Sequence, residues 1–285
     1  MPGDYEKAIT IEKAIQNIVE RRYLLPAIQR KFIWSSDQIC VLFDSLMRGY
    51  PINTFMLWEV KDEEVKQSFR FYQILERYCE RFEENNPDFD TKGLGDFDAI
   101  IDGQQRLTSI YIALKGTYAT KLPRKWWPDT KDDTVLPPRK LYLALHRPLD
   151  EEESDQMMSY DFQFLTAKEY EDYSSKKDEH WFEVGKILDL SKIENNDEVV
   201  FIVLDYLAKQ GITVSGNDYA IKTLTRLYFA IRLDPVIHYY RETNQQIDHV
   251  LDIFIRTNSG GTQLAKSHVL DRPISLYLTG VSQNT

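Results

Sequence analysis

The residues best suited to chemistry stand in one short run, Ala99-Ile100-Ile101-Asp102-Gly103-Gln104-Gln105-Arg106-Leu107-Thr108. An apolar strand pattern ends in a polar turn at Gly103, and a helix opens immediately behind it. Such a turn leaves backbone N–H groups free at the positive end of the helix dipole, which suits a phosphate. Arg106, in the first helical turn, would add a forked donor pair to phosphate oxygens. Asp102, at the strand end, would hold a hydrated Mg²⁺ or orient a water. Gln104 and Gln105 would donate to an anion or position the attacking water. A plainer reading stays open, in which Asp102 caps the helix and Arg106 pairs with a surface acid. The run is not a Walker loop, because Gly103 stands alone.

Two further stretches carry groups of the same kind. In Pro26-Ala27-Ile28-Gln29-Arg30-Lys31-Phe32-Ile33-Trp34, basic Arg30 and Lys31 follow Arg21 and Arg22 closely, with Trp34 available for stacking. They form either an anion site or a solvated basic loop whose apolar residues fill the core. In Phe254-Ile255-Arg256-Thr257-Asn258-Ser259-Gly260-Gly261-Thr262, the paired glycines permit positive φ and close backbone approach, and Arg256, Asn258 and Ser259 add donors. A glycine helix cap would explain Gly260 and Gly261 without a ligand. Trp126 and Trp127 sit among Lys121, Arg124, Lys125 and Lys131. That pattern fits base stacking beside phosphate-neutralising lysines, or an aromatic pair anchoring a loop.

Other chemistries find no residues to run on. The histidines (His146, His180, His238, His249, His268) show no metal spacing, and neither an HNH nor an HExxH pattern occurs. No GxSxG elbow and no Cys/His nucleophile pattern is present. Cys40 and Cys79 fall in apolar-periodic segments, as small buried thiols do.

The elements that must position these groups follow from periodicity. Ile11, Ile15, Ile18 and Val19 predict a helix over 10–20 capped by Thr10, and 23–25 a short strand stopped by Pro26. Ile39, Leu42, Phe43 and Leu46 predict a helix after Ser35-Ser36 that ends at Gly49. A buried strand is expected over 54–60, with 68–74 as its neighbour. The run 83–95 reads as a loop, 97–101 as a strand and 107–115 as a helix. An exposed insertion is expected over 121–140 and a strand over 141–145. The acidic run 150–155 reads as solvated. Helices are expected over 197–209, 216–233 and 245–255, with a strand over 235–240.

The whole is an α/β (α+β) chain of 285 residues, long enough to bury a core without disulfides or metal. Its first 180 residues form the core with the insertion, and 181–285 a helical lobe that returns to it. An apolar share of 42% with only 12 glycines and 11 prolines excludes a disordered or low-complexity chain. The net charge of −10 argues against a protein that simply coats bare DNA. No signal peptide and no run long enough to span a membrane is found, so a cytoplasmic protein without a membrane partner is expected.

Four motifs occur in order: Pro26-x-x-Gln29-Arg30-x-Phe32-x-Trp34, Leu42-x-Asp44-Ser45-Leu46-x-x-Gly49-x-Pro51-Ile52, Asp102-Gly103-Gln104-Gln105-Arg106-Leu107-Thr108 and Phe254-x-Arg256-x-Asn258-x-Gly260-Gly261. The chain thus resembles the N-terminal domain of GmrSD-type restriction proteins, a DGQQR-motif family with a ParB/sulfiredoxin-like mixed-sheet core. The resemblance implies a module of bacterial anti-phage defence that binds, and often hydrolyses, a nucleoside triphosphate with Mg²⁺. Such a module commonly regulates an HNH-type nuclease that cuts DNA. Asp102, Gln105 and Arg106 would then be catalytic, with Asp102 as the Mg²⁺ ligand. Gln29, Arg30, Gly103, Gln104, Thr108, Arg256, Asn258, Gly260 and Gly261 would bind the nucleotide. The alternatives are a non-catalytic sensor of nucleotide or modified DNA, and a ParB-like DNA-binding module. The nuclease half is expected to be absent from this chain and DNA to be reached through a nuclease partner; a homodimer is a further possibility.

Overall fold

The computed structural model describes residues 3–28, 31–149, 158–176, 179–193, 196–212 and 218–258. Helix starts follow side-chain capping. The Thr10 hydroxyl accepts the Lys13 N–H at 3.1 Å and opens α1 (Ile11–Val19), which buries Ile11, Ala14, Ile15 and Ile18. Ser35 and Gln38 cap each other's backbone reciprocally at the head of α2 (Ser36–Met47). Behind α2 the chain turns through Gly49 at φ +72°.

Seven strands form the main sheet, in the order β1 (Asp4–Tyr5), β12 (Tyr239–Glu242), β3 (Phe55–Val60), β7 (Phe97–Asp102), β2 (Tyr23–Pro26), β4 (Phe71–Tyr72) and β6 (Asp88–Phe89). β7 lies antiparallel to β3 and parallel to β2, while β12 lies parallel to β3. β3, β7 and β2 are almost wholly buried, which explains their unbroken apolar runs. A second sheet holds β10 (Phe162–Leu165), β9 (Pro138–Ala144), β8 (Thr117–Ala119) and β5 (Arg77–Cys79), with β11 (Trp181–Glu183) also paired to β9.

Between the two sheets runs α4 (Gln104–Lys115). Its residues Leu107 to Leu114 are all buried. Leu107 and Ile110 share one hydrophobic core with Ile100 of the first sheet and with Leu141 and Leu143 of the second. A helix enclosed on every side cannot tilt without opening packed contacts on both sheets. The polar turn at its head is therefore mounted on a rigid axis.

Mixed helix and sheet content agrees with the α+β expectation, and several boundaries move. The expected strand over 68–74 is not a neighbour of β3. Asp62 accepts the Glu64 N–H at 2.7 Å and starts a short helix, α3 (Glu63–Ser68), which carries the chain away from β3. Only β4 remains, paired with β2 and β6. The insertion ends earlier than 140, because Pro138 takes the first position of β9, where its missing N–H costs nothing. The expected strand over 235–240 becomes β12 further on, with Ile237 making a single bridge to Ile9. Ser215 and Gly216 lie outside the described residues. The helix expected to start there is seen as α7 (Asp218–Tyr228) and closes in a wide π turn, Phe229–Leu233. The last helix, α8, spans Ile247–Asn258. Asp150 to Glu153 and Asp155 also fall outside the described residues. Cys40 and Cys79 are buried free thiols, and burial pushes the Cys40 thiol up to about 12.

Candidate functional site

Where β7 meets α4, Gly103 adopts φ +87°. A Cβ there would lie 2.3 Å from Cδ1 of Phe55, so both the left-handed backbone and the packing require glycine. The register between β3 and β7 shifts next to this point, from Leu57 opposite Ile100 to Met56 opposite Asp102. Such an irregularity re-aims the strand's last side chain. The carboxyl-bearing side chain of Asp102 is 45% exposed at the rim.

Arg106 reaches back across the turn. Its Nη1 donates to the Ile52 carbonyl, its Nη2 to the Thr54 carbonyl at 3.2 Å, and its guanidinium lies 4.6 Å from the centre of the Phe55 ring. Asp102 Oδ2 is a further 3.5 Å partner of Nη2. Only 15% of the side chain is exposed. Burial pulls the guanidinium below its usual range, and the Asp102 charge partly restores it. The cation is thus placed first by carbonyls and an aromatic face, and only weakly by its acid.

The two glutamines have structural partners as well. Gln104 Nε2 donates to the Ile100 carbonyl at 2.9 Å. Gln105 grips a distant segment with both ends of its amide: Nε2 donates to the Lys31 carbonyl at 3.1 Å, and Oε1 accepts the Ile33 N–H at 3.0 Å. This amide clamp sets Trp34 beside the turn. The first described backbone bond into α4 is Leu107 N–H to the Gly103 carbonyl, at 3.0 Å, and Gly103 supplies no side-chain cap. The N–H groups of Gln104, Gln105 and Arg106 consequently have no acceptor among the described residues.

A cavity of about 180 Å³ opens at this place, lined by Trp34, the run Ile101 to Arg106, and Phe254 of α8. It joins parts of three separated motifs. The individual residues fare differently. Asp102, Gly103, Gln104, Gln105 and Arg106 line the cavity, whereas Thr108 is buried within α4 and does not. Arg256 points to solvent from α8, 78% exposed and 2.9 Å from Asp252; Phe254 is the residue α8 presents to the cavity. The side chain of Asn258, and Gln29, Arg30, Gly260 and Gly261 entirely, lie outside the described residues. The expected basic cluster is dispersed where it can be seen. Arg22 pairs with Glu20 at 3.0 Å, Lys31 with Glu84 at 2.8 Å, and Arg21 lies 6.0 Å from the Phe89 ring.

Sequence reasoning missed the turn over Ile52 to Phe55 that seats Arg106. Backbone carbonyls leave no trace in residue type; Asn53 at φ +64° marks the turn only in the structure. Among the described residues no group of three or more histidine, cysteine or carboxylate side chains is arranged to hold a metal. Asp102, a half-exposed carboxylate at the cavity rim, fits the single protein ligand with which Mg²⁺ accompanies a phosphate chain.

Fold and site together define a mixed-sheet α+β protein whose buried helix presents an uncapped, cation-backed head to a small cavity. Residues 11–272 match the family described as GmrSD restriction endonuclease, N-terminal domain, and the chain belongs to that family. It is also 32% identical over 117 residues to an uncharacterised protein of Methanocaldococcus jannaschii. That match covers 40% of this chain and 18% of the archaeal protein. No described helix is long and apolar enough to cross a membrane.

Proposed function

We propose that this domain binds a nucleoside triphosphate with Mg²⁺ at the head of α4 and hydrolyses it, acting in the cytoplasm to control a DNA-cutting partner. Membership of a restriction family supports the setting. One observation carries the site: uncapped N–H groups, the Arg106 cation and the Asp102 carboxylate border one cavity of about 180 Å³. That volume is below the range of whole organic ligands and suits a phosphate tail. Preplaced donors and a fixed cation are what phosphoryl transfer asks of a protein, since the charge that develops on the transferring oxygens must be met without rearrangement. Arg106 is already oriented by Ile52 and Thr54, so no side-chain ordering has to accompany binding. Asp102 would hold the metal or the attacking water, and the metal would neutralise charge on the phosphates. Gln105 positions rather than reacts: its amide keeps Lys31 to Ile33, and hence Trp34, against the turn.

Calorimetry with each of the four ribonucleoside triphosphates and Mg²⁺, followed by phosphate release, tests this reading. Asp102→Asn is expected to retain nucleotide binding within about tenfold and to lower turnover by about 10²-fold or more. Binding by neither protein removes the nucleotide site. Tight binding without turnover in the wild-type chain leaves a sensor in place of a hydrolase.

A further inference from the structure

The insertion between β8 and β9 carries a surface that the cavity at α4 does not use. Trp126 is 92% exposed, the most open of the large apolar side chains among the described residues. Its neighbour Trp127 is held between two cations, with the Arg81 guanidinium and the Lys121 ammonium each 5.5 Å from the ring. Lys121 is fixed there by donating to the Leu122 and Lys125 carbonyls, at 3.2 and 3.1 Å. Arg124 and Lys125 are exposed. Within a chain of net charge −10, Arg81, Lys121, Arg124 and Lys125 have no carboxylate within ion-pair distance among the described residues.

Such a surface is costly without an occupant. Leaving an indole in water forgoes the burial that indole rings ordinarily gain. Of the four cations, Lys125 is partly offset by Asp132, whose carboxyl is held low first by Thr134 and also by that ammonium; the group as a whole still favours a polyanion laid across it. Trp127 ties the insertion to the turn after β5 through Arg81, whereas Trp126 stands clear of the core.

We propose that Trp126 and Trp127, with Arg81, Lys121, Arg124 and Lys125, form a stacking platform for single-stranded DNA. A free indole face matches an unstacked base, and the flanking cations match the phosphates that accompany it. Duplex bases hide their faces and would leave Trp126 as exposed as before. The platform is continuous with the nucleotide cavity through one carboxylate. Glu84 accepts the Arg81 N–H at 3.0 Å and the Lys31 ammonium at 2.8 Å, and its carbonyl accepts the Phe32 N–H at 3.2 Å. A strand lying on the platform therefore touches the turn that is tied to the Trp34 segment. The platform does not depend on the nucleotide reading.

Fluorescence anisotropy of fluorescein-labelled oligothymidine with the full chain tests it, with duplex of the same length and phosphatidylserine vesicles as comparisons. Wild-type protein is expected to prefer the single strand. Trp126→Ala, at a site too exposed to affect folding, should weaken binding about tenfold or more, and Trp126→Phe should restore most of it. Arg124→Glu combined with Lys125→Glu should weaken binding and reduce the salt slope by about one to two units. Both variants should keep wild-type nucleotide affinity, so that loss of DNA binding is separable from failure of the α4 site. Absence of binding, equal affinity for duplex, vesicle binding in its place, or wild-type affinity in Trp126→Ala each overturns the proposal.

Discussion

Arg106 shows how one side chain can be committed to a turn and still border a cavity. A guanidinium offers five N–H donors, and the structure commits donors on Nη1 and Nη2 to the carbonyls of Ile52 and Thr54. A phosphate clamp standing free in solvent could be truncated with little effect on folding. Arg106 cannot. Its removal leaves two carbonyls short of a donor and uncovers the Phe55 ring, so Arg106→Ala is expected to cost about 1–3 kcal/mol. For a chain of this size that corresponds to a fall in Tm of roughly 2–10 °C. An unchanged thermal melt would mean that the guanidinium does not hold the 52–54 turn, and the placement of the cation described above would then fail. Arg106→Lys is expected to melt nearly as low, because an ammonium cannot span both carbonyls while lying flat on the ring.

The elements around the cavity are joined by few but well-placed polar contacts, and the 81–84 turn is the most revealing of them. Hydrogen bonding from Lys31, and next from the Arg81 N–H, holds the Glu84 carboxyl below the ordinary glutamate range. A carboxyl whose folded pKa is depressed contributes stability above its unfolded pKa, and loses it as pH falls through the folded value. Amide protection at Phe32 and Ile33 should accordingly drop as the pH falls below the ordinary glutamate range. In Glu84→Gln it should be low already at neutral pH and nearly flat with acid. Equal protection in both proteins would show that Gln105 and the Glu84 carbonyl hold the segment without the Glu84 carboxylate. Contacts of this kind were not legible in the sequence. The helices α1 and α2 were, because capping residues and a 3.6-residue repeat are local, whereas α4, uncapped and buried on all faces, begins at Gln104, ahead of the 107–115 expected. The partner of β4 and the place of β12 were not, because strand pairing is decided by which edges remain free after β7 and β12 flank β3.

At the scale of the molecule, the cavity at the head of α4 is lined by the run from Asp102 to Arg106 that the sequence singled out, but not by Thr108 or Arg256. Asp102 to Arg106 could be read as a strand-to-helix turn from their types alone. That Phe254 and not Arg256 faces the cavity depends on how α8 rotates against the sheet, which a polar motif does not encode. What brings the segments together is long-range: Ile33 and Gln105 are 72 residues apart, and Phe254 arrives from the far end of the described chain. α4 can serve as the common support because it is packed on both sheets. A ligand at its head should then stabilise all three segments at once, by the free energy with which it prefers the assembled cavity. Hydrogen exchange with and without saturating nucleoside triphosphate and Mg²⁺ measures this directly. Protection is expected to rise together in peptides covering 31–34, 101–107 and 250–256, while the Trp126 insertion stays unchanged. With no strand bound, the insertion has nothing to respond to. Protection confined to 101–107 would show a turn that binds phosphate alone, and the convergence of the three motifs would then have no part in nucleotide recognition.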